Sequence, residues 1–116
     1  MPKAPDIRLK KIYDPPDRND GARVLVDRLW PRGARKEEAK LTMWLKDIAP
    51  SAGLRQWFGH DPARFAEFSR AYRAELTANK DAVGRMDDLV KTGRVTLLYA
   101  EHNRARVLAD YLKGRA

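Results

Sequence analysis

Val24-Leu25-Val26-Asp27-Arg28-Leu29-Trp30-Pro31-Arg32-Gly33 decides how this chain is read. It begins with three consecutive β-favouring apolar residues, the pattern of a strand covered on both faces. The expected strand runs from Arg23 to Leu29. Side chains alternate across a strand, so Asp27 and Arg28 are expected on opposite faces. Pro31 has no N–H to give a ladder, and Gly33 permits a turn that other residues resist. A buried strand that runs into charge, an aromatic ring and a turn marks a site, because open α/β sheets bind ligands at the carboxyl ends of their strands.

On either side of this stretch, strand and helix patterns alternate. Ile7 to Tyr13 alternates apolar with basic residues and reads as a first strand, after a loose terminus at residues 1–6. Asp14-Pro15-Pro16-Asp17-Arg18-Asn19-Asp20-Gly21 is a long turn. Residues 34–40 suit a short helical turn. Leu41 to Ile48 fits either a helix or a short strand ending at Pro50. Ser51 is an N-cap candidate for a helix through Trp57 and Phe58. Asp61 and Pro62 open the clearest helix, with Phe65, Phe68, Tyr72 and Leu76 in one stripe. Val83, Met86, Leu89 and Val90 mark another helix, stopped at Gly93. Val95 to Tyr99 is a second doubly buried strand. Asn103 is placed to cap a last helix with Val107, Leu108, Tyr111 and Leu112 on its apolar face. The pattern predicts one α/β domain over residues 1–116, a layered sandwich with a mainly parallel central sheet flanked by helices.

The net charge is +8, from 24 Lys plus Arg and 16 Asp plus Glu. The excess is spread over both halves, so it is not an appended tail. It favours anionic partners: phosphorylated small molecules, nucleotides or nucleic acid. The alternative is a non-catalytic structural or regulatory partner protein whose basic surface serves only solubility. There is no cysteine, which excludes disulfides and thiolate chemistry. Two histidines without metal-ligand spacing give no reason to expect a metal. No Gly-x-Gly-x-x-Gly, Walker or Gly-x-Ser-x-Gly motif occurs, and no cofactor is implied. The polar start and the short apolar runs lead us to expect a cytoplasmic protein without a membrane span, as a monomer or homodimer.

Tyr13 to Gly33, the Trp44-Leu45-Lys46-Asp47-Ile48-Ala49-Pro50-Ser51 segment, Thr96 to Ala100 and Glu101 to Leu112 together resemble the YeaO-like family, within domain of unknown function 488. The resemblance implies a compact α/β protein and carries no established reaction. Relatives usually place several residues between the Leu-Leu-Tyr-x-Ala strand end and the His-Asn pair. Here Glu101-His102-Asn103 follows Ala100 directly, so the resemblance implies a shortened turn.

Seven residues are candidates. Arg28 and Arg32 could clamp one anion through paired guanidinium donors, or Arg28 could pair internally while Arg32 is solvated. Asp27 could act as a general base or hold an arginine. Tyr99 and His102 would join it in acid/base work, imidazole titrating near neutral pH. Trp30 offers a flat wall for a ring or a packing lid. Asn103 would cap a helix whose N-terminal N–H groups favour an anion.

Overall fold

The protein is described by a computed structural model over residues 5–100 and 102–114. Its strands are β1 (Ile7–Lys11), β2 (Ala22–Leu25), β3 (Met43–Trp44) and β4 (Val95–Tyr99). They form one sheet in the order β1-β4-β2-β3, with every pairing parallel. Five helices accompany them: α1 (Lys36–Ala39), α2 (Ala52–Phe58), α3 (Phe65–Ala78), α4 (Lys80–Thr92) and α5 (His102–Gly114). This is the expected α/β architecture with a parallel sheet.

Alternation sorts the strand residues between two unequal cores. Ile7, Val24, Val26, Val95, Leu97 and Tyr99 join the larger core, which the helices cover with Phe58, Phe68, Tyr72, Met86 and Leu108. On the other face Leu25 and Leu98 meet only Ile12, Ala39 and partly buried Trp30, Ala34 and Leu41. The register places Arg8, Thr96 and Arg23 in one row of this second face. Such a row needs polar partners once buried. The turn before β2 supplies them: Asp20 pairs with Arg23 and Lys10, and the Thr96 hydroxyl donates to the Asp20 carbonyl at 2.6 Å.

Two elements are shorter than the sequence suggests. β1 stops at Lys11, and Tyr13 is exposed. β2 ends at Leu25, so Asp27 and Arg28 lie beyond the strand and not within it. β3, the neighbour on one side, is only two residues long, and pairing with β4 on the other ends at Leu25 and Leu98. Leu41 to Ile48 is part strand and part 3-10 turn, the latter at Lys46–Ile48. Ser51 caps α2 as expected, its hydroxyl accepting the Leu54 N–H at 3.2 Å. Asp61 caps the turn that leads into α3, with Pro62 at its first position. Asn103 lies inside the first turn of α5; the position before the helix, Glu101, is outside the described residues. Among the described residues, no helix is long and apolar enough to cross a membrane.

Candidate functional site

The strand order creates a crevice between β2 and β4. From β2 the chain moves outward to β3. From β4 it turns into α5, which packs on β4 and β1. Connections that diverge from neighbouring parallel strands open such a crevice at their carboxyl ends. Asp27 bridges it: Oδ2 accepts the Ala100 N–H at 3.0 Å. Its carbonyl accepts the Trp44 indole N–H at 2.7 Å, so Asp27 ties the end of β2 to both neighbouring strands.

Arg28 is half-buried and reaches the loop that enters α2. Its Nε and Nη2 donate to the carbonyls of Pro50 and Ala49, each at 3.3 Å. Neutral carbonyls orient a guanidinium without cancelling its charge. Two further arginines share this region. Arg55 is on α2, and Arg104 is in the first turn of α5; both are half-buried. Burial lowers the Arg55 pKa from its ordinary value, and the positive charges of Arg104 and Arg28 lower it further, with Asp27 opposing them. Among the described residues, the buried Arg55 Nε has no hydrogen-bond partner. Between described residues, the ion pairs of Asp6, Asp20, Glu38 and Asp61 engage other cations.

Tyr72 lies beneath this cluster, with its hydroxyl donating to the Ile48 carbonyl at 2.7 Å. Burial, then the Glu75 carboxylate, pushes its pKa far up, so it stays protonated. Glu75 holds the start of α2, accepting the Ser51 N–H at 2.8 Å and its hydroxyl at 2.6 Å.

Tyr99 is buried, and its pKa is raised by that burial and then by Asp14 in the turn after β1. His102 is exposed and sits edge-on to Tyr99, with ring centroids 5.5 Å apart. Asp27 and Arg28 are among the charges that act on Arg55 and Tyr72, and Asp14 acts on Tyr99. Trp30 packs edge-on against Trp44 at 5.4 Å, donates to the Ala34 carbonyl at 2.8 Å and closes the smaller core. Arg32 and Asn103 are exposed; the Arg32 carbonyl accepts the Tyr13 hydroxyl at 2.7 Å. A cleft of about 440 Å³ lies between the turns at 12–16 and 33–39, away from the arginine cluster. It is lined by two carboxylates, Asp14 and Glu38, and by one cation, Arg35, which pairs with Glu38.

Arg55 and Arg104 were not singled out from the sequence. The available signal was position: each is a basic residue early in a helix that follows a strand, where the fold converges. Among the described residues, no group of three His, Asp or Glu side chains could hold a metal ion.

Fold and site together define a small parallel α/β domain with a basic cluster at its strand ends. The family model described as "Inactive DUF488-N3 subclade" matches residues 6–116, and the chain belongs to this YeaO-like DUF488 family. It is 42% identical over 113 residues to the uncharacterized protein YeaO of Escherichia coli K12, covering 94% of this chain and 98% of that protein. An uncharacterized protein of Mycobacterium tuberculosis H37Rv is likewise 42% identical over 113 residues, covering 94% and 95%. No solved structure matches.

Proposed function

We propose that this protein binds an anionic, phosphorylated small molecule in the crevice between β2 and β4, and holds it without transforming it. The observation that carries this reading is the grouping of Arg28, Arg55 and Arg104 around the strand ends, with a buried Arg55 Nε left without a partner among the described residues. A buried donor of that kind is costly unless an acceptor reaches it. Holding fits better than turnover. One oxygen of the Asp27 carboxylate, Oδ2, already accepts the Ala100 N–H. A tyrosine with a raised pKa, such as Tyr99, is a poor base. The family description, with its word "inactive", points the same way.

A thermal-shift screen of phosphorylated metabolites tests the reading, since a ligand of the folded state raises the melting temperature. A hit should vanish in Arg55→Gln and Arg104→Gln and persist in Arg32→Ala. Loss in Arg32→Ala alone would move the anion to the Gly33 turn.

A further inference from the structure

We infer that the cleft between the turns at 12–16 and 33–39 is a second binding site, and that it takes a small organic cation, an ammonium group on an apolar body. It shares no residue with the arginine cluster. At about 440 Å³ it has the volume of a small-molecule site. Its two walls are the segments that follow β1 and β2, and the chain itself holds both. The Asp14 N–H donates to the Lys11 carbonyl at 3.1 Å and the Ala34 N–H to the Pro31 carbonyl at 3.2 Å, so each wall is a closed turn. The Tyr13 hydroxyl joins one wall to the other through the Arg32 carbonyl. Ile12 and Ala39, both buried in the smaller core, give the lining an apolar part, which Pro15, Pro16 and Ala34 extend. At Gly33, with φ +82°, a Cβ would meet no atom within 4 Å, so the space on this side is open.

What the lining offers a ligand is one-sided. An anion needs N–H donors, and here they are engaged or missing. The N–H groups of Ile12, Asp14, Ala34, Glu38 and Ala39 all donate to backbone carbonyls. Pro15 and Pro16 have none. The Tyr13 hydroxyl gives its proton to Arg32. Among the described residues, Arg35 is the one cation lining the cleft, and it already faces Glu38. Acceptors, in contrast, are at hand. Among the described residues, the exposed Asp14 carboxylate makes neither a hydrogen bond nor an ion pair. The Arg35–Glu38 pair is long, at 3.9 Å, and both side chains are about three-quarters exposed, so it yields readily to a ligand. The Tyr13 ring stands next in the chain to Asp14, and the negative face of an aromatic ring attracts a cation. Carboxylate, ring and apolar lining together match a protonated amine whose body is apolar.

The test is NMR titration of the isotope-labelled full chain at neutral pH with three probes that share one ring: benzylamine, benzyl alcohol and benzoate. Trp30 reports on the cleft, because its indole N–H donates to the carbonyl of Ala34. The expected result is that benzylamine moves the Trp30 indole signal and the Gly33 and Ala34 amides, and binds at least about fivefold more tightly than the alcohol or benzoate. Asp14→Asn, a change at an exposed side chain, should weaken benzylamine by about fivefold and leave the rest of the spectrum in place. Arg55→Gln should leave benzylamine binding unchanged. Equal affinity for benzyl alcohol would make the cleft merely apolar, and tighter binding of benzoate would reverse its polarity; either overturns the inference. So would undiminished binding in Asp14→Asn, or no movement of these signals with any probe. None of these failures touches the anion reading, which rests on Arg28, Arg55 and Arg104.

Discussion

Asp20 and Arg23 are 9% and 5% exposed, and the pair sits where the smaller face of the sheet would otherwise bury a bare charge. Burial alone pushes the Asp20 carboxyl up. The Asp17 N–H, Lys10 and Arg23 outweigh it and hold the carboxyl below its ordinary 3.8. A carboxyl depressed in the folded state stabilises the fold above its ordinary value and stops doing so as pH falls through its folded value. Urea melts should therefore show stability lost below pH 3.8, and Asp20→Asn should lack that component. Asp20→Asn should also cost about 3–5 kcal/mol at neutral pH, because it strands two cations. Next to it, Gly21 has φ +67°, and a Cβ there would collide with the Arg94 carbonyl. Gly21→Ala should cost more than about 1 kcal/mol in the same melts, since left-handed backbone and a backbone clash act together. If it melts like the parent, the turn must yield more easily than this packing implies.

At the scale of elements, α2 is only seven residues long and depends on its start. Ser51 caps it and Glu75 on α3 holds Ser51. Ser51→Ala should lose about 1–2 kcal/mol. Because α2 carries Arg55, the same change should weaken anion binding without touching a guanidinium. α3 is held differently. Phe68 is fully buried and stacks on Phe58 with centroids 4.4 Å apart. Phe68→Ala should cost about 3–5 kcal/mol through the cavity it leaves, measured by denaturant midpoint at constant slope. The aromatic stripe on α3 is core, as its helical spacing indicates.

For the whole molecule, the prediction concerns ligand and stability together. A phosphorylated ligand of the proposed site, at about a hundred times its dissociation constant, should add about 2.7 kcal/mol and raise the melting temperature by about 10 °C. Added neutral salt should reduce this gain, since half-buried guanidiniums are partly screened.

Much of the fold was legible in residue patterns, because burial on both faces leaves apolar runs at Val24–Val26 and Val95–Tyr99, and helix caps at Ser51 and Asp61 act locally. The end of β2 was not legible. Asp27 and Arg28 continue the strand pattern, yet pairing to both β3 and β4 stops at Leu25, which depends on neighbours distant in the chain. Of the site, Asp27 and Arg28 stood out because charge after a buried strand is conspicuous. Arg55 and Arg104 did not, since a basic residue on an amphipathic helix looks the same whether it faces solvent or a crevice. By itself the sequence determined a basic α/β domain with an unusual strand end, through periodicity and turn chemistry that neighbours in the chain enforce. Tertiary structure alone decided that β4 inserts between β1 and β2. That insertion sets the start of α5 next to the end of β2, where Asp27 accepts the Ala100 N–H, because strand order is set by long-range packing that no local pattern records.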